Sequence, residues 1–308
     1  MATVLITGGT GLVGKALTAA LISKGYSCII LSRSPRNGTN GIRYAVWDPA
    51  AGTLDPSAIQ EADYIVHLAG AGVAEKRWSA ARKKEILDSR VKSGQVIVNS
   101  LRQYPHKVKA VLSASAIGWY GADPVIPNPR PFTEDLPADI AFLGDTCRQW
   151  EASMSGITEM GIRRLTFRIG IVLSREGGAL KEFLKPLQFG VGAVLGNGRQ
   201  VVSWIHRDDL VRLFIEGIEN AQWDGIYNAV APHPVSNKAL TLALAKARKR
   251  FYILLPVPAF VLKLVMGEMS IEVLKSATVS AEKLVKNSFH FTYPDIETAM
   301  VAETTHAR

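Results

Sequence analysis

The first place in this 308-residue chain where residue types and spacing point to chemistry is the run Thr7-Gly8-Gly9-Thr10-Gly11-Leu12-Val13-Gly14. Gly8, Gly11 and Gly14 follow a G-x-x-G-x-x-G spacing. Ahead of them lies a short apolar run, Val4–Thr7, and behind them Val13, Leu17 and Leu21 recur at helical intervals. At such a turn a Cβ obstructs either the chain reversal or the approach of backbone to a pyrophosphate, and the amides opening the helix are aimed at an anion. A strand-to-helix turn without a ligand has the same spacing, and it is the strand-and-helix context that favours a dinucleotide site formed by Gly8, Gly9, Thr10, Gly11, Leu12, Val13 and Gly14.

The end of the second apolar run decides between the two nicotinamide dinucleotides. An Asp or Glu there accepts from a ribose 2′-OH. This chain has Ser32-Arg33 instead. A guanidinium makes charge-assisted bonds to a 2′-phosphate that a carboxylate would repel, so NADP(H) is the expected cofactor, with Arg33 the discriminating residue. Leu68-Ala69-Gly70 forms a third small-residue strand end, where backbone can lie against the adenosine ribose and phosphates. His67 has no metal-ligand companion and reads as a buried strand residue.

These positions require a scaffold, and the sequence alternates in the way that supplies one. The runs Val4–Thr7, Cys28–Ser32, Tyr64–Leu68, Ala110–Ser113 and Leu165–Leu173 are separated by helical patterns. That alternation predicts an α/β fold, a doubly wound parallel sheet of the Rossmann type, with a smaller C-terminal substrate lobe. The expected division is a cofactor domain over residues 1–230 and a small domain over 231–308. The glycine-rich stretch 176–200 reads as loops and short elements, and residues 171–205 are expected to contribute to the substrate pocket. A helix is expected to bury Trp150, Met154 and Ile157, and further helices are expected over 237–250, 258–266 and 295–302.

Composition narrows the class. Apolar residues at 47% and charged residues at 20% describe an ordinary globular chain. Cys28 and Cys147 form no C-x-x-C or Cys/His cluster, so neither a disulfide framework nor a metal site is expected. The N-terminus lacks a cationic leader, and the most lipid-like segment, 251–266, is too short and too interrupted to span, so a cytoplasmic protein without a membrane partner is expected. A net charge of +9 would suit nucleic acid. Its densest run, 246–250, has no stacking aromatics or binding motif, which makes it a solvated helix face and a small molecule the expected partner.

The glycine spacing, Leu68-Ala69-Gly70, Ser113-Ala-Ser115 and Trp204-Ile-His-Arg-Asp-Asp209 together resemble the extended and atypical short-chain dehydrogenase/reductases. More narrowly, Lys76-Arg77-Trp78, Ser89-Arg90, Trp150-Glu151 and Arg168–Leu173 are similar to an epimerase-like group of that superfamily, and Leu255-Pro256, Gly267-Glu268 and Phe289-His-Phe291 resemble its small C-terminal domain. The resemblance implies NADP(H) contacts from the glycine turn, Ser32, Arg33, Leu68 and Ala69, and adds Glu85, Arg90 and Ile171 as cofactor neighbours. Taken alone, the first two of these additions read as solvated helix charges and Ile171 as core.

Members of the wider superfamily that carry out catalysis pair a Tyr with a Lys four residues on, so that the phenol exchanges a proton with substrate. The resemblance places Leu143 and Cys147 at those positions. Ser115 keeps the place of the superfamily's catalytic serine, and Tyr120, in Trp119-Tyr120-Gly121, is a second candidate to approach substrate. Cys147 has no neighbour in sequence that would activate it. Two functions follow as expectations. One is an NADP(H)-dependent oxidoreductase or epimerase acting on a small carbonyl, hydroxyl or nucleotide-sugar compound; the other is a non-catalytic NADP(H)-binding protein that senses redox state or supports a partner.

Overall fold

All five apolar runs enter one central sheet. The computed structural model describes residues 1–39, 41–249 and 251–305. In chain order the first half is β1 (Thr3–Thr7), α1 (Leu12–Ser23), β2 (Ser27–Ser32), β3 (Ile42–Asp48), β4 (Thr53–Leu54), α2 (Pro56–Glu61), β5 (Tyr64–His67), α3 (Ala80–Gln103), β6 (Ala110–Ala116), α4 (Phe142–Ala152), α5 (Ser155–Glu159) and β7 (Arg163–Ile169). The second half continues with β8 (Ile171–Leu173), α6 (Gly178–Leu187), β9 (Val191–Leu195), β10 (Val201–Val202), β11 (Trp204–His206), α7 (Arg207–Glu219) and β12 (Gly225–Ala229). It closes with β13 (Val235–Ser236), α8 (Asn237–Ala247), β14 (Ile253–Val257), α9 (Ala259–Met266), α10 (Ser270–Leu274), α11 (Glu282–Lys286) and α12 (Ile296–Thr305).

Eight strands lie in the order β12-β7-β6-β5-β1-β2-β3-β4, parallel throughout except for the β3/β4 edge hairpin. The chain winds outward from β1 through β2 and β3, then returns to the other side of β1 with β5. This reversal opens a crevice at the carboxyl ends of β1 and β5, where α/β sheets bind ligands. Side-chain alternation splits the core: Leu112 faces α1 and α7 with Leu17, Leu21, Leu210 and Phe214, while Val111 faces the other helices with Ile59, Ile97, Leu101 and Ile157. Leu17 and Leu21 are fully buried. Each contributes about 1.5–3 kcal/mol, which is what fixes α1 behind the glycine turn.

Several elements differ from expectation. The run 165–173 is two strands, because at Gly170 a Cβ would lie 2.7 Å from the Ser203 carbonyl oxygen; beyond it β8 leaves the main sheet and pairs with β11. The stretch 176–200 contains a ten-residue helix, α6, whose Leu180, Leu184 and Leu187 were spaced for one. Trp150, Met154 and Ile157 are all buried, but a break between α4 and α5 divides them. Strand β3, between β2 and the short edge strand β4, was not anticipated. Helix α8 ends at Ala247, and Arg250 lies outside the described residues.

A second core unites Leu180, Leu187, Trp204, Leu240, Leu244, Ile296 and Met300. The C-terminal lobe therefore packs on α6 and β11 as well as on itself. No helix among the described residues is long and apolar enough to cross a membrane.

Candidate functional site

The glycines of the first turn divide by what surrounds them. Gly8 has φ +68°, and a Cβ there would lie 2.8 Å from the Leu68 carbonyl carbon, so β1 and β5 converge on it. A Cβ on Gly9 would meet Ile30 Cγ2 at 2.8 Å, and one on Gly14 would strike the Gly8 carbonyl oxygen and Gly9 Cα. Chain packing accounts for all three. Gly11 is different: a Cβ there would touch only Gly8 O, at 3.3 Å, leaving exposed open space above the turn. Helix α1 starts at this residue with no side-chain cap and no acidic residue in its first turn. Open room beside uncapped amides fits the pyrophosphate of a dinucleotide.

A buried clamp holds the turn against the end of β5. Thr7 Oγ1 accepts from the amides of Leu68 and Ala69 at 3.1 and 3.0 Å and lies 2.8 Å from His67 Nδ1. The hydroxyl's one proton therefore goes to Nδ1, and the imidazole carries its own on Nε2, 3.3 Å from Ser93 Oγ. Ser93 in turn donates to the Ser89 carbonyl at 2.6 Å. Burial, reinforced by the charge of Arg90, holds the His67 pKa down at about 3. Between the unfolded value near 6.5 and about 3, the native state binds fewer protons than the unfolded one. This residue's contribution to stability falls by up to about 1.4 kcal/mol per unit as pH drops through that window. NMR of the ring is expected to show a single neutral tautomer at pH 5; a ring titrating near 6.5 would contradict the clamp.

Arg33 follows β2 directly, is exposed, and takes part in no ion pair among the described residues. Ser32 beside it is buried. Glu85 is exposed on α3, its pKa lowered chiefly by a hydrogen bond from Arg82 and further by the charges of Arg82, Lys76 and Arg33. Arg90 is anchored behind the β5 loop: its Nη1 donates to the carbonyls of Ala71 and Ile86 at 3.0 and 2.9 Å, and its guanidinium lies 4.9 Å from the Trp150 ring. Its Cζ is 3.1 Å from where a Gly70 Cβ would be, so Gly70 makes room for this arginine. Ile171 is partly exposed at the start of β8. Sequence reasoning overlooked Arg82, a buried cation bonded to the Gly72 carbonyl, Glu75 and Glu85 that ties the loop to α3.

On the other side of the crevice the sequence candidates fall into one buried polar network. Ser115, 2% exposed, donates to Glu151 Oε1 at 2.7 Å. The same carboxylate receives Arg168 in a fork, Nε to Oε1 at 2.9 Å and Nη2 to Oε2 at 3.1 Å. Tyr120, 1% exposed, donates to Asn228 Oδ1 at 2.7 Å, accepts from Arg168 Nη1 at 3.0 Å and stacks on Phe132. Burial pushes its phenol up to about 12 despite the arginine beside it. Glu151 and Arg168 were visible in sequence only through the family resemblance, because a lone Trp-Glu or an Arg ending a strand carries no spacing that links them.

Leu143 and Cys147 both sit on α4 beside Gly118. The Cys147 thiol is pushed up to about 11 by burial and then by the Glu151 charge; burial does the same to Cys28. Neither cysteine should react with a thiol reagent in the native protein at pH 8, and both should after denaturation, as counted by mass spectrometry. Rapid labelling of Cys147 in folded protein would show the α4 environment to be otherwise. His206 caps α7 by accepting from the Asp208 amide at 3.1 Å, and its Nε2 lies 2.9 Å from Glu303 of α12. Arg207 pairs with Glu176 at 2.6 Å. Buried Asp209 accepts from the amides of Thr292 and Tyr293, so this motif chiefly fastens the C-terminal segment.

Comparison with known proteins agrees with this geometry. Residues 4–140 match the NAD dependent epimerase/dehydratase family, and residues 257–303 match a domain of unknown function, DUF1731. Epimerase family protein YfhF of Bacillus subtilis (strain 168) is 34% identical over 299 residues, 96% of each chain. The crystal structure of human epimerase family protein SDR39U1 (isoform 2) with NADPH superposes with a TM-score of 0.86 at 27% identity, covering 99% of both chains. A nucleoside-diphosphate sugar epimerase from Corynebacterium glutamicum, 32% identical, superposes at 0.78 over 98% of this chain and 58% of its own. With a glycine turn at the sheet's switch point and relatives that match along nearly its whole length, the chain belongs to the NAD dependent epimerase/dehydratase family.

Proposed function

We propose that the protein is an NADP(H)-dependent oxidoreductase or epimerase acting on a small carbonyl, hydroxyl or nucleotide-sugar compound. The observation that carries this reading is Arg33, a guanidinium without an ion pair among the described residues where the second strand ends, together with the open space over Gly11 and an uncapped helix. It is supported by the human relative's structure with NADPH. The glycine turn and Leu68-Ala69-Gly70 would hold the dinucleotide backbone, Ser32 and Arg33 its 2′-phosphate, and Glu85, Arg90 and Ile171 the rest of the crevice wall. When bound, the cofactor supplies or accepts hydride.

The chain's own residues set the proton side. The single hydroxyl proton of Ser115 goes to Glu151, so toward a substrate oxygen Ser115 accepts rather than donates, and it holds a substrate hydroxyl. Tyr120 positions Arg168 from behind; its proton is committed to Asn228. Incubation of purified protein with NADPH or NADP⁺ and a panel of carbonyls, alcohols and nucleotide sugars, read at 340 nm or by product analysis, is expected to reveal turnover. Complete absence across the panel, with cofactor bound, would favour the second reading, a non-catalytic NADP(H)-binding protein. That alternative rests on Leu143 and Cys147, neither of which can act as the missing phenol and ammonium. The same reading places the protein in the cytoplasm, where thiols stay reduced, with a small molecule rather than nucleic acid as partner.

A further inference from the structure

Between Asp224 and Glu268 the chain contains no Asp or Glu, while Lys238, Lys246, Arg248, Lys249, Arg250 and Lys263 all occur there. Apolar residues in the same stretch are left in solvent. Phe251, Phe260 and Leu264 are 82, 71 and 75% exposed, and Ile253, Leu255 and Val265 are also exposed. Phe189, 85% exposed, joins them, since Gly190 lies against the Phe251 carbonyl and accepts from the Ile253 amide at 2.8 Å.

The two features occur together along the chain, from the end of α8 through β14 to α9. On α9, Phe260, Lys263 and Leu264 stand at helical spacing on one face, opposite buried Leu262. Lys249 is two residues from Phe251. Among the described residues strand β14 pairs only with β9, sending Ile253 and Leu255 outward while Leu254 packs where a Cβ on Gly192 would be. Lys246, Arg248, Lys249 and Lys263 form no ion pair among the described residues, whereas Lys185 beside Phe189 is neutralised by Glu182. Protruding aromatic and aliphatic tips interleaved with unneutralised cations are the composition of a surface that lies in a bilayer interface.

We propose that this face, formed by β14, α9 and the end of α8, docks the protein peripherally on an anionic lipid bilayer. Like charges argue against a second copy as the occupant, because two such faces would bring their cations together. The side chains protrude, which suits insertion between headgroups. This departs from the expectation of no membrane partner, which was drawn from the lack of a spanning segment.

The test is flotation of full-length protein with vesicles of phosphatidylcholine alone or with 30 mol% phosphatidylserine. Binding is expected only to the anionic vesicles and is expected to fall with added salt. Each cation near such a surface changes partitioning about fivefold, so Lys249→Glu with Lys263→Glu should weaken binding at least about twentyfold. Phe260→Ser with Leu264→Ser should abolish flotation while leaving NADPH affinity and unfolding midpoint unchanged. Failure to float with anionic vesicles would overturn the proposal. So would flotation indifferent to both pairs of substitutions, or a dimer in sedimentation analysis that the Phe260 and Leu264 substitutions dissociate.

Discussion

Replacing Arg33 with Asp will lower affinity for NADPH about 10- to 100-fold and leave NADH binding unchanged or improved. Hydrogen bonds to a charged group contribute about 1.5–3 kcal/mol, and each 1.4 kcal/mol is a factor of ten in binding. Arg33 is exposed, free of ion pairs among the described residues, and placed directly after β2. Its removal therefore breaks nothing in the fold and leaves no buried partner orphaned. The introduced carboxylate would repel a 2′-phosphate and accept from a 2′-hydroxyl instead. Calorimetric titration of the variant with both cofactors checks this. An unchanged NADPH affinity would mean that Arg33 does not reach the 2′-phosphate.

The second large effect is on stability. Arg168→Met should cost about 3–5 kcal/mol, because it leaves the Glu151 carboxylate buried without its fork and the Tyr120 hydroxyl and Glu134 carbonyl without their donor. For a chain of this size that is a fall in melting temperature on the order of 10 °C. Combining it with Glu151→Leu should restore much of the loss, since two matched apolar side chains no longer require a charge in the interior. The double-mutant cycle, read by urea unfolding, is the measurement. A loss below about 1 kcal/mol for Arg168→Met alone would show that water reaches the pair.

How much of this the sequence disclosed depends on whether a role was local. The glycine turn was legible because strand, turn and helix are contiguous, and the same holds for Ser32-Arg33 at a strand end and Asp208-Asp209 opening a helix. Strand β3 was missed because Ile42–Asp48 mixes charges with apolar residues, as an outer strand can. Helix α6 was missed because Gly177 and Gly178 read as a loop, although they mark its start. The Ser115–Glu151–Arg168–Tyr120 network was illegible for a deeper reason. Its members come from β6, α4, β7 and the segment following β6, and only the sheet order brings them within hydrogen-bonding distance. No periodicity encodes a contact between residues that far apart. Likewise Arg82 and Arg90 look like solvated helix charges until the Gly70–Gly72 loop folds over them.

The most direct test of the cofactor assignment is titration of the cofactor-free, unmodified protein with NADPH and with NADH by calorimetry. The geometry of Gly11, the uncapped α1 and Arg33 predicts one site per chain and at least about tenfold tighter binding of NADPH, the worth of one charge-assisted contact. Equal affinity would contradict the role given to Arg33, and no binding of either by folded protein would contradict the site itself.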